Sequence, residues 1–100
     1  MKKSRTSAEA GAIKGGTLLA SEGREIARGL WERTVYLGTD NFVYELEASK
    51  GPGQVNSRVA GKRSIGDYLR WVDGLFSRGE LPAESNGIHY RAAKLLRELI

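Results

Sequence analysis

One hundred residues, 40% hydrophobic and 28% charged, suit one soluble domain with a single core and fit neither a disordered chain nor a membrane protein. The chain has no cysteine, which excludes disulfides and thiolate metal sites, and its only histidine is His89. The net charge of +4 is concentrated in two places: Lys2, Lys3, Arg5 and Lys14 stand against Glu9 in residues 1–14, and Arg58, Lys62 and Arg63 stand without any acid in residues 51–63.

Residues 1–16 mix Ser, Thr, Gly and Lys around one sizeable apolar side chain, Ile13, and read as a flexible basic tail ahead of a single domain spanning residues 17–100. No apolar run approaches the roughly 20 residues that span a bilayer, and the N-terminus lacks the apolar middle of a secretion signal, so a cytoplasmic location without membrane contact is expected. Leu19, Ile26 and Leu30 fall on one helical stripe with Leu18, Ala27 and Trp31 beside it, which predicts a helix over residues 17–33. Gly23 and Gly29 would each weaken that helix by about 1 kcal/mol, marking a kink or a close neighbour.

Thr34, Val35, Tyr36 and Leu37 favour a strand and run into the turn formers Gly38, Thr39, Asp40 and Asn41. Residues 42–48 alternate, with Phe42, Tyr44, Leu46 and Ala48 on a core face and Val43, Glu45 and Glu47 on a wet one. A second turn at Lys50, Gly51, Pro52 and Gly53 leads to a weaker strand over residues 54–60, placed at a sheet edge. Ser64 is set to cap a helix starting at Ile65, whose stripe is Ile65, Tyr68, Leu69, Val72, Leu75 and Phe76, with Trp71 at its margin and Gly79 and Pro82 as stop signals. Ser85 or Asn86 caps a last helix that buries Ile88, Ala92, Leu95, Leu96 and Leu99.

The expected fold is therefore a single small α+β domain of order α-β-β-β-α-α, an antiparallel three-stranded sheet covered by helices on one face. Its core would comprise Phe42, Tyr44, Leu46, Ile65, Leu69, Val72, Phe76, Leu95 and Leu99. The outline is similar to that of double-stranded-RNA-binding domains, but a single short strand follows Gly51-Pro52, and the next helix reads Ser64-Ile65-Gly66-Asp67-Tyr68 where that family is rich in lysine and alanine. No family is assigned.

Catalytic chemistry finds little support. His89 has no acid or nucleophile at helical spacing and reads as a partly exposed helical histidine. Asp67 and Asp73 are placed to pair with Arg70, and Glu45 and Glu47 lie on one open strand face instead of converging on a substrate. With no metal-ligand spacing and no phosphate loop, neither enzyme activity nor a cofactor or metal site is expected. Gly61-Lys62-Arg63-Ser64 at a helix entry is an anion candidate beside its plainer reading as a capped helix with solvated cations.

Two functions fit. In the first, a non-enzymatic module contacts nucleic acid or a nucleoprotein complex through Lys2, Lys3, Arg5, Asn56, Arg58, Lys62 and Arg63. In the second, the chain is a protein inhibitor or adaptor of the kind phages and mobile elements direct at host nucleic-acid machinery. There it would meet a basic protein partner through Glu45 and Glu47, about 7 Å apart along the strand, helped by Glu22, Glu25 and Glu32 and anchored by Trp31 and Trp71.

Overall fold

Two tight turns and a run of cross-strand pairing set the architecture. The computed structural model describes residues 7–26, 29–78 and 87–100. Along the chain these form α1 (Ser7–Lys14), β1 (Thr17–Ile26), β2 (Gly29–Leu37), β3 (Phe42–Gly51), β4 (Gln54–Ser64), α2 (Ile65–Ser77) and α3 (Gly87–Leu99). The strands make one antiparallel sheet in the order β1-β2-β3-β4. At the β2–β3 turn, Asn41 takes a left-handed φ of 66°, while the Asp40 carboxylate accepts hydrogen bonds from the Phe42 amide at 3.1 Å and the Tyr44 hydroxyl at 2.6 Å. At the β3–β4 turn, Pro52 presets its own φ and Gly53 supplies a φ of 70°.

The α+β class and the antiparallel sheet match expectation, but the sheet has four strands rather than three. The segment expected to be helical over residues 17–33 is instead β1 and the first half of β2, paired from Thr17 opposite Leu37 to Ile26 opposite Gly29. β1 is an edge strand that deeply buries only Leu19 and Ala20, so it lacks the alternation that marks a half-buried strand, and its leucines matched a helical spacing by default. β-Branched Thr17, Ile26, Thr34 and Val35 favour the extended chain, and the inter-strand hydrogen bonds override the helical pattern. Gly29 does mark a close neighbour, since a Cβ there would lie 1.7 Å from the Lys50 carbonyl oxygen.

Both faces of the sheet are covered in part. The larger core lies on the Val43 side, where Leu19, Ala20, Val35 and Val43 meet Tyr68, Val72 and Leu75 of α2 and Ile88, Ala92, Ala93 and Leu96 of α3. The opposite side carries a smaller cluster in which Ala12 and Ile13 of α1 bury Tyr44, with Tyr36, Leu46 and Val59 alongside. α1 thus occupies part of the stretch read as tail, tied to the β2–β3 turn by the Thr39 amide, which donates to the Ala12 carbonyl at 3.1 Å.

This corrects the expected core. β3 carries Phe42, Tyr44, Leu46 and Ala48 on one face and, beside Glu45, Glu47 and Ser49, only Val43 on the other, so its alternation favoured the Phe42 face for the two long helices. They take the Val43 side, leaving Phe42 37% exposed. α3 is rotated so that His89 and Ala93 point inward and Leu99 is 50% exposed. Val72 is buried as expected, while Ile65, Leu69 and Leu95 pack at the core margin; the Phe76 side chain lies outside the described residues, as do the expected stop and cap residues between α2 and α3. Ser64 does cap α2, its hydroxyl accepting from the Asp67 amide at 3.2 Å. Asp67 pairs with Arg70 as expected, whereas Asp73 bonds Arg97 at 2.7 Å and so links α2 to α3.

Candidate functional site

Cross-strand register lays the side chains of the Val43 face out in rows. Ala20, Val35, Glu45 and Gly61 form a row beneath the helices; the next is Glu22, Arg33, Glu47 and Arg58; the outermost is Arg24, Trp31, Ser49 and Asn56. Strand alternation puts all three rows on one face. Going outward, the face changes from apolar core to alternating charge, and then to an aromatic ring flanked by small and polar side chains.

The outer rows carry a groove of about 300 Å³ lined by Trp31, Glu47, Ala48, Ser49, Asn56, Ser57 and Arg58. Trp31 is half-buried there, with the Arg24 guanidinium 4.9 Å and that of Arg33 5.7 Å from its ring centre. Such cation–π contacts restrain the indole. Arg33 is fixed by Glu22 at 2.9 Å and Glu45 at 3.5 Å, and Arg58 is held by Glu47 at 2.8 Å.

Beneath the helices lies a second polar constellation that the sequence did not reveal. His89 is only 2% exposed, not partly exposed as expected, and it does have an acid nearby. Its Nδ1 is 2.9 Å from the Tyr68 hydroxyl and its Nε2 is 3.6 Å from Glu45 Oε2. With the proton on Nε2, facing the carboxylate, Nδ1 accepts from the Tyr68 hydroxyl and both ring nitrogens are accounted for. Trp71 meets the imidazole edge-on, with centroids 4.7 Å apart, and the Arg63 guanidinium stacks 4.0 Å from the Trp71 ring centre. His89 beside it, with Arg33 and Arg63, holds the Glu45 carboxyl below its ordinary range against the opposing effect of burial, while burial pushes the Tyr68 phenol up. Acid–base chemistry needs a reacting group within about 3 Å of the base, and His89 is enclosed by Tyr68, Trp71 and β3. The constellation joins the helices to the sheet. The signal for it lay in tertiary register, because Glu45 is distant in sequence from both Tyr68 and His89.

The structure gathers some of the expected contact residues and separates others. Asn56, Arg58 and Trp31 share the groove. Lys62 lies on the opposite face, its ammonium 4.8 Å from the Phe42 ring centre and 5.5 Å from that of Tyr44. Arg63 is at the covered end, over Trp71. The side chains of Lys62, Arg63 and Ser64 therefore do not converge at the start of α2. Glu45 turns under the helices and Glu47 is paired with Arg58, so neither forms a bare acidic surface. Lys2, Lys3 and Arg5 lie outside the described residues.

Among the described residues, no group of three or more His, Asp or Glu side chains is arranged to hold a metal ion, and no helix is long and apolar enough to cross a membrane. No protein-family model matches the chain, and no curated protein or solved structure gives a significant match.

Proposed function

We propose that this chain is a non-catalytic module that binds nucleic acid through the end of its sheet that no described helix covers. The observation that carries this reading is the meeting of Trp31, Asn56 and Arg58 in one groove on the part of the Val43 face beyond the helices. A half-buried aromatic ring, an amide and a guanidinium supply the stacking, hydrogen-bonding and phosphate contacts that nucleic-acid surfaces combine. β4, a sheet edge, carries Arg58, Lys62 and Arg63 and no acid. Lys2, Lys3 and Arg5 would add sequence-independent phosphate contacts at the other end of the chain.

The reading as a partner for a basic protein draws less support, since Glu22, Glu32, Glu45 and Glu47 each have a cation within 4 Å. Direct binding of labelled oligonucleotides across a salt series tests the proposal. Affinity should fall linearly with salt on log–log axes, with a slope of about −3 for four contacts to a single strand, from Arg58, Lys2, Lys3 and Arg5. The double variant Asn56→Ala/Arg58→Glu should bind at least tenfold more weakly. Absence of binding at low salt would remove the proposal.

A further inference from the structure

Resting on that reading, we infer that the Trp31 groove is a seat for one unpaired nucleobase, which makes the preferred ligand a single strand rather than a duplex. The groove has a ring at one side and a floor built from three successive β3–β4 pairs: Glu47 with Arg58, Ala48 with Ser57, and Ser49 with Asn56. Ser49 is the small side chain on this face, since alternation turns the Ala48 and Ser57 side chains to the other and leaves only their backbone in the floor, and a shallow, flat space remains beside the indole. At about 300 Å³ it stands at the lower end of the range for small-molecule pockets, room for one planar heterocycle and no more.

Charge decides which part of a nucleotide enters. Glu47 lines the groove, and a carboxylate repels a phosphate but accepts a hydrogen bond from the amino group of a base. The Asn56 amide and the Ser49 hydroxyl supply further donors and acceptors along the same wall. Arg58, bonded to Glu47 yet with 63% of its side chain exposed, stands at the rim, where the backbone of a seated nucleotide would pass. Base goes in and phosphate stays out. A duplex keeps its base faces stacked on one another, so it has none to offer the indole.

The test follows Trp31 emission in the full chain carrying Trp71→Phe, so that a single indole reports. A 12-nucleotide single strand, the matching duplex and a mononucleotide are titrated separately. The single strand is expected to quench Trp31 and to bind at least tenfold more tightly than either other ligand. Trp31→Ala should lose about tenfold or more for the single strand, and Trp31→Phe should retain part of the affinity. Ser49→Leu, which fills the groove and leaves the ring in place, should lose affinity to a similar degree, so the inference does not depend on one variant folding well. Equal affinity for single strand and duplex, with Trp31→Ala and Ser49→Leu unchanged and Asn56→Ala/Arg58→Glu impaired, would overturn the base seat while sparing the broader proposal. A mononucleotide binding as tightly as the strand would overturn single-strand preference and assign the groove to free nucleotides. Failure of all three ligands to bind would end both.

Discussion

The two ends of the Val43 face are built from the same strands, in the same alternation, yet one is core and the other surface. Length explains the division. Strands of nine to eleven residues extend about 30–36 Å, whereas the 13-residue helices α2 and α3 reach only about 20 Å. The helices cover Val35, Val43 and Glu45 and stop short of Trp31, Ser49 and Asn56. Arg33 stands at the boundary, bonded to Glu45 on the covered side and stacked near Trp31 on the open one. Among the described residues, a sheet end left open by the helices is thus a consequence of mismatched element lengths, and residues there contribute little to the core.

If that division is right, stability and binding should respond to different substitutions. The sharpest break is at Leu96, fully buried against the sheet. Leu96→Ala should cost about 2–5 kcal/mol by chemical denaturation, a large share of the stability of an ordinary small domain. Where the variant remains folded, oligonucleotide affinity should stay within a factor of two. Loss of affinity in a folded Leu96→Ala protein would mean that the two ends are coupled.

A smaller break lies in the buried polar constellation. Tyr68→Phe deletes the hydroxyl that satisfies His89 Nδ1 and leaves a buried acceptor unpaired, a loss of about 1–3 kcal/mol. The wild-type chain leaves no buried side-chain nitrogen or oxygen unsatisfied among its described residues. An unchanged denaturation midpoint would show that water reaches the imidazole once the hydroxyl is gone.

How much of this contrast could be read from the sequence depended on whether the relevant interaction was local. The Ser64 cap, the Pro52-Gly53 turn and the α2 stripe of Tyr68, Val72 and Leu75 involve neighbours a few residues apart, and their residue types announce them. β1 was missed because an exposed edge strand owes its form to a partner strand, not to its own pattern. Asn56 and Arg58 were legible as candidate contacts from local composition, and Trp31 as a marginal aromatic. That these three meet in one groove required the four-strand register. The burial of His89 was hidden by the rotation of α3, which Ala92 and Ala93, as small residues, permit.

Acid titration sharpens the comparison, because the covered end holds Glu45 while the open end depends on exposed pairs. Glu45 has a folded pKa below its ordinary value of 4.5, so the unfolded chain takes up its proton first as pH falls. Its contribution to stability is complete above about pH 4.5 and disappears as pH drops through the folded pKa. Glu45→Gln should flatten the acid limb of a stability–pH curve. Asp40, lowered in the same direction by the Tyr44 hydrogen bond, should leave a residual slope that Asp40→Asn removes. An acid limb identical in wild type and Glu45→Gln would place the carboxylate in water instead of beside His89.

The smallest stability effect is expected at the open end, and there it separates the two roles most clearly. Arg58 and Glu47 bond at 2.8 Å with the arginine largely exposed, and exposed pairs of this kind contribute about 0–1 kcal/mol. Arg58→Ala should therefore leave the thermal midpoint almost unmoved. It also frees the Glu47 carboxylate, which raises the negative charge of the groove in the same step that removes a rim cation. Both changes oppose a passing phosphate, so binding should weaken more than the loss of one contact predicts, and the excess should shrink as salt screens Glu47. Arg58→Ala/Glu47→Gln removes that free carboxylate, and comparison of the two variants at low salt measures its share. If the double variant binds no better than Arg58→Ala, the backbone does not run past Glu47 and the groove must be approached from the Trp31 side.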